Sequence, residues 1–317
     1  MARIVIALGG NALQRDQEAA TAENQLRVIA ETSEYIVDMI EDGYEVVIVH
    51  GNGPQVGRIV QQNDFAASVT PAMPFDICGA MSQGMIGYQI QQCLQNALNR
   101  RALNRQVATV VTQVEVDAAD PGFCDPVKPV GRFYQEADLP ALRRKNPDFV
   151  YKEDAGRGWR RVVASPAPRR IVEIPEIRSL IQNGFVTVAA GGGGVPVICH
   201  SDGSLHGIDA VVDKDLSAEL LAESLDADIL LILTAVEQVY IHYGRRDQMG
   251  LSQLTPSAAR QYMQNGEFAA GSMLPKVEAA VKFVESRSGR RSMITSLKRA
   301  KDTLCGRSGT LVAEAAS

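Results

Sequence analysis

The chain has 317 residues, of which 45% are hydrophobic and 22% charged, with a formal net charge of −5. That length is too great for one small core and fits one large α/β domain or two lobes, and the composition is that of a globular protein. The acidic balance excludes a general affinity for nucleic acid or anionic membrane, and no apolar run reaches membrane-spanning length.

No charged-then-apolar signal opens the chain, so a cytoplasmic location is expected. Cys78, Cys93, Cys124, Cys199 and Cys305 are scattered without CxxC spacing and read as reduced thiols, mostly buried filler. The four histidines are too widely separated to suggest a metal site, and no residue is assigned to one.

In chain order, the apolar run Ile4, Val5, Ile6 and Leu8 reads as a strand buried on both faces, ending in Gly9-Gly10-Asn11. Residues 22–41 place Leu26, Ile29, Ala30, Ile36, Val37 and Ile40 on one helical face, and Gly43 ends that helix. A second strand at 45–49 runs into His50-Gly51-Asn52-Gly53, with Pro54 suited to the first turn of a following helix. Pro71, Pro74 and Gly79 mark a loop, and a longer helix is predicted over 82–103. Met85, Ile86, Ile90, Leu94 and Leu98 fall on one side of it and a glutamine-rich face on the other, either a wet surface or a subunit contact. Residues 107–114 read as the next strand.

Between about 117 and 168 the prolines cluster, the strand runs stop and basic residues outnumber acidic ones. This predicts a small protruding subdomain inserted in the N-terminal half, mostly solvated, with one or two cations able to lean over an anionic substrate. Beyond it come a helix at 176–183, a strand at 185–190 running into Gly191, Gly192, Gly193 and Gly194, and a helix at 216–225. A strand at 228–234, helices at 255–265 and 276–286, and short strands at 293–295 and 310–312 follow. The alternation predicts an α/β fold, a three-layer αβα sandwich around a mostly parallel sheet.

Three strands therefore exit into glycines. Glycine lets a backbone turn sharply and bring its N–H groups close to a ligand, and in open parallel sheets ligands sit beyond the carboxyl ends of the strands. Three such exits suggest one anion-binding floor. Two lysines complement it: Lys214, flanked by carboxylates in VVDKD just before a helix, and Lys276, at the first turn of another helix in GSMLPK. At an effective dielectric of 20, an ammonium about 4 Å from a negative charge gains roughly 4 kcal/mol, so one such lysine can change a rate by orders of magnitude. Together these features point to phosphoryl transfer. No GxxxxGK[ST] loop, kinase HRD or DFG motif, GxGxxG fingerprint or GxSxG elbow occurs.

The segments IALGGNAL (6–13), HGNGPQVG (50–57), SQGMIGY (82–88) and TQVEVD (112–117) resemble the carbamate kinases of the amino acid kinase family. So do KPVG (128–131), KEDAGRGWRRVV (152–163), GGGGVPV (191–197), VVDKD (211–215), ILT (232–234) and GSMLPKVEAA (271–280). The resemblance covers essentially the whole chain, in order. It implies that Gly9, Gly10, Asn11, Gly51, Asn52 and Gly53 hold the transferred phosphoryl group and the carbamate end. Related kinases of acyl amino acids carry a lysine at the first exit; here that position is apolar, and the resemblance assigns the charge to Lys128 of the protruding subdomain.

By the same resemblance Lys214 and Lys276 bridge the phosphates and Asp215 orients them. Thr234, Ala235, Val236, Tyr243, Met273 and Pro275 lie along the nucleotide, and Gly191, Gly192 and Gly193 shape the floor between an N-terminal half (about 1–190) and a C-terminal nucleotide half (about 191–317). Ala235 and Arg132 depart from the family pattern, but neither removes a needed charge. The implied reaction is ATP + carbamate ⇌ ADP + carbamoyl phosphate with Mg²⁺, in a homodimer that binds neither nucleic acid nor membrane. A sibling kinase of this fold would carry the first-exit lysine or a different insertion, and a non-catalytic sensor would have lost part of the lysine and glycine set.

Overall fold

The computed structural model describes residues 1–15, 18–154 and 156–315; Ala155, within the 152–163 motif, lies outside them. The chain opens with β1 (Arg3–Leu8), α1 (Ala22–Glu41), β2 (Glu45–His50), α2 (Gly53–Ala66), α3 (Phe75–Arg100), β3 (Val107–Thr109) and β4 (Gln113–Val116). The excursion holds β5 (Lys128–Tyr134), α4 (Leu139–Lys145), β6 (Val150–Glu153) and β7 (Trp159–Val163). After it come β8 (Pro168–Ile171), α5 (Ile174–Gln182), β9 (Val186–Val188), β10 (Val195–Cys199) and β11 (Leu205–Gly207). The remainder is α6 (Lys214–Ser224), β12 (Ile229–Thr234), β13 (Val239–Ile241), β14 (Met249–Leu251), β15 (Gln253–Leu254), α7 (Pro256–Gln264), α8 (Met273–Ser286), β16 (Arg291–Ser296), α9 (Ala300–Leu304) and β17 (Thr310–Val312).

The main sheet runs β15-β17-β16-β12-β1-β2-β9-β3 and is parallel except where β16 meets β17. β1 lies at its heart, with Ile4, Val5, Ile6 and Ala7 fully buried. Because strand side chains alternate, Val5 and Ala7 pack with α6 and α8 on one face. Ile4, Ile6 and Leu8 pack with α1 and α3 on the other. Each aliphatic side chain so buried stabilises the fold by about 1.5–3 kcal/mol. The result is the three-layer αβα sandwich expected from the alternation of elements. The register pairs Leu8 with His50, and β12 runs parallel to β1 on its other side, so the first two glycine exits and Thr234 leave the sheet at one end.

Several local expectations are corrected. α3 begins at Phe75, not 82, because Pro74 serves as its N-cap and Gly79 has open space around it. Met85 is exposed and Gln89 is buried, so the apolar face of α3 is rotated from the expected one. The run 107–114 is two strands in two sheets. Gln83 clamps the bend, accepting from Thr112 N (2.8 Å) and donating to Thr112 O (3.0 Å), and the chain then enters a second sheet ordered β11-β10-β4-β8.

The excursion does contain strands, an antiparallel sheet ordered β5-β7-β6 whose charged, half-exposed residues hide the alternation. Arg161 is held inside it, its guanidinium 3.5 Å from the Phe149 ring centre and paired with Asp209. Only Cys78 and Cys93 are buried; Cys124, Cys199 and Cys305 are exposed on loops, a strand end and a helix end where no core needs filling. No helix among the described residues is long and apolar enough to cross a membrane.

Candidate active site

The first exit is shaped by its neighbour strand. A Cβ on Gly9 would lie 2.7 Å from the carbonyl oxygen of Leu233 in β12, so only glycine lets β1 leave the sheet at this point. Gly10–Ala12 then forms one turn of 3₁₀ helix. Gly9, Gly10, Asn11, Lys214, Leu233, Thr234 and Lys276 share the wall of a cavity of about 280 Å³.

Two helices aim their first turns at this cavity. α6 starts at Lys214, with Asp213 as N-cap accepting from Asp215 N at 3.0 Å. α8 starts at Met273, so Pro275 is its third residue, where an N–H has no intrahelical partner, and Lys276 its fourth. Lys214 Nζ donates to Asp215 Oδ1 and Lys276 Nζ to Asp215 Oδ2, each at 2.7 Å. The Asp215 side chain is 4% exposed. Burial works against its charge, but the two ammoniums outweigh burial and hold its pKa below the usual carboxylate range. Burial pushes the Lys214 pKa down; Asp215 opposes that shift and Lys276 adds to it. One carboxylate thus fixes two cations and leaves a net positive charge beside the cavity, chemistry suited to an anion.

Lys128, the first residue of β5, reaches out of the excursion to Asp213, Nζ to Oδ2 at 3.0 Å. Asp213 therefore uses one oxygen to cap α6 and the other to hold Lys128. Sequence reasoning missed this residue; the signal was available, since an Asp directly before a helix is a preferred N-cap. The link to Lys128, 85 positions away, was not.

The second exit lies beside the same lysine, with the backbone at Gly51 close to the Lys214 stem. Asn52 Nδ2 donates to Ser82 Oγ at 2.8 Å, and Gly53 begins α2. The third exit packs against the second and against the start of α6. Side chains on Gly191, Gly192, Gly193 and Gly194 would strike the His50 ring, the Asn52 side chain, the Val212 carbonyl and Val114. These glycines allow α6, β2 and β4 to close together, and Gly191, Gly192 and Gly193 do not line the cavity around Lys214 and Lys276. His50, 1% exposed, donates Nδ1–H to Gly51 O at 2.9 Å, and burial pushes its pKa down to about 4. It is neutral at pH 7 and enclosed by the turn.

A second cavity, of about 320 Å³, opens from the first through shared Thr234, Ala235 and Ser272. Val236, Tyr240, Tyr243, Phe268 and Met273 line it, so Thr234, Ala235, Val236, Tyr243 and Met273 are brought together there. Pro275 lines neither cavity. Ser272, Tyr240 and Phe268 were not anticipated. A cationic cavity joined to an aromatic one matches the shape of a nucleotide.

The model of the amino acid kinase family matches residues 2–296. Over 313 residues the chain is 49% identical to a carbamate kinase of Clostridium perfringens, covering 98% of this chain and 99% of that protein. It is 47% identical over 315 residues to the carbamate kinase-like protein YqeA of Escherichia coli, with 98% and 99% covered. The structure of carbamate kinase from Giardia lamblia bound to AMP-PNP superposes with a TM-score of 0.94 at 43% identity, covering 99% of this chain and 98% of that one. With full-length relatives on both counts and a geometry of paired lysines over glycine exits, the chain belongs to the amino acid kinase family and, within it, to the carbamate kinases.

Proposed function

We propose that this protein is a carbamate kinase that transfers a phosphoryl group reversibly, ATP + carbamate ⇌ ADP + carbamoyl phosphate. The observation that carries the reading is the Asp215 carboxylate holding the Lys214 and Lys276 ammoniums, each at 2.7 Å, at the mouth of the first glycine exit. The nucleoside occupies the aromatic cavity and the phosphates the cationic one. Carbamate approaches from the side of Gly51, Asn52 and Lys128. A carbamate oxygen forms the new bond to the γ-phosphorus while the bond to the β-bridging oxygen breaks, its electron pair leaving with ADP. The nucleophile is already an oxyanion, so no base is required, which suits a site whose nearby histidine is buried and neutral. Catalysis is charge neutralisation and in-line alignment.

Mg²⁺ would be held mainly by the nucleotide's own phosphates. Both Asp215 oxygens are taken by lysines and both Asp213 oxygens by Lys128 and the α6 cap. The described residues contain no His, Cys, Asp and Glu group suited to hold a metal alone. Mg²⁺ is commonly bound largely through substrate phosphates, and it supplies charge neutralisation there. Residues 1–190 form the carbamate half, with 117–168 as a lid-like subdomain, and 191–317 the nucleotide half. Carbamoyl phosphate is a high-energy mixed anhydride, so the cytoplasmic reaction runs towards ATP, in nitrogen catabolism.

The protein acts as a homodimer: Ile77, Met81, Met85 and Tyr88 form an exposed apolar stripe along α3, of the sort that marks interfaces. A coupled assay for ATP formed from MgADP and carbamoyl phosphate tests the activity. Sustained turnover is expected; no ATP from folded protein with Mg²⁺ present would reject the reading.

A further inference from the structure

The aromatic cavity contains one charged side chain among the described residues, Glu267, on the loop between α7 and α8. Its side chain is 18% exposed, and it is not free to swing. Glu267 Oε2 accepts from the backbone N–H of His242 at 2.9 Å, and Oε1 lies 3.3 Å from His242 Nε2. The other ring nitrogen of His242 is 2.8 Å from Asp247 Oδ2. Both ring nitrogens of His242 therefore face carboxylate oxygens. His242 also carries φ +54°, a conformation a non-glycine residue adopts at some cost, and it directly precedes Tyr243 in the cavity wall. A strained histidine clamped between two carboxylates is a built support, and what it supports is a carboxylate presented to the cavity.

A carboxylate is acceptor-only with about four lone-pair directions. His242 engages two, and the remaining ones are available to a ligand with donors. The phosphates lie in the cationic cavity and the two cavities meet at Thr234, Ala235 and Ser272, so the unit that enters the aromatic cavity first is the sugar. A ribose offers two adjacent hydroxyl donors to two oxygens, the chemistry by which acidic residues select ribose elsewhere. Adenine offers one amine beside acceptor ring nitrogens, which a carboxylate repels. Tyr240, Tyr243, Phe268 and Met273 provide the apolar faces suited to the base.

We propose that Glu267, held in place by His242, binds the ribose 2′- and 3′-hydroxyls and makes the site selective for ribonucleotides. This rests on the nucleotide reading above. The test is calorimetric titration of the intact protein with ADP, 2′-deoxy-ADP, 3′-deoxy-ADP and inosine diphosphate, for wild type, Glu267→Ala and His242→Asn. Charge-assisted hydrogen bonds of this type predict that the wild type binds at least one deoxy analogue roughly tenfold or more weaker than ADP. In Glu267→Ala, ADP is expected to fall to the level of that analogue, with the analogue unchanged; His242→Asn shifts the same ratio in the same direction by less. A variant that weakens ADP and both deoxy analogues equally, or a wild type indifferent to both hydroxyls, overturns the assignment while leaving the nucleotide reading intact. Loss of discrimination between ADP and inosine diphosphate alone shows a carboxylate reading the base amine, and also overturns it. Failure of the wild type to bind ADP at all would remove both readings.

Discussion

Asp215 is the residue on which the site balances. Its neighbours are two cations, and without the carboxylate the ammoniums would repel each other in a poorly hydrated place. Lys214→Ala, Lys276→Ala and Lys128→Ala should each lower turnover by at least roughly 10²-fold, read by the coupled assay; a wild-type rate in any one removes that residue from the chemistry. Asp213→Asn is more selective. Asparagine caps a helix as well as aspartate, so urea midpoints should hardly move, while loss of the charge opposite Lys128 should lower kcat more than it raises KM.

His50 gives a pH signature. Its folded pKa, about 4, lies below the ordinary histidine value of 6.5, so between these pH values the unfolded chain binds more protons and stability falls as pH is lowered. Between pH 6.5 and 5 this amounts to about 1.6 kcal/mol, measurable by denaturant unfolding as the part of the pH dependence that disappears in His50→Gln.

Much of the site was legible at the scale of single residues and much of the rest was not, for a physical reason. Lys214 and Lys276 declare themselves through helix-start context and adjacent carboxylates, which are local. The pairing of Lys128 with Asp213, or of His242 with Glu267, depends on the path of the chain through space, and no spacing encodes it.

At the scale of elements, strands and helices with strong periodicity were readable: β1 and α1 lie where the apolar pattern puts them. The sequence misled where one residue type serves two purposes. Pro74 and Gly79 read as loop residues, yet a proline before the first turn and a glycine on an open helix face are compatible with α3. The missing side chains of the four glycines after β9 also make room for His50, Asn52 and Val114.

Gly87 shows the same principle inside α3, where a Cβ would collide with the Thr109 methyl of β3. Gly87→Ala should therefore destabilise by about 1–3 kcal/mol despite the higher helix propensity of alanine. Thr109→Ser, which removes that methyl, should recover most of the loss. Additive effects in the double mutant would refute this contact.

At the scale of the whole molecule, a rigid parallel sheet fixes the first two glycine exits and β12 at one end, and a three-stranded lobe brings one further cation to them. The apolar stripe on α3 belongs to this scale. Met81→Asp should halve the mass seen by light scattering without altering the circular dichroism; an unchanged mass would place the subunit contact elsewhere. Where a bound nucleotide puts its phosphates decides the role of the paired lysines. A crystal structure with MgADP should show the β-phosphate oxygens within hydrogen-bond distance of Lys214 Nζ or Lys276 Nζ, with the ribose beside Glu267. Phosphates lying away from both lysines would contradict it.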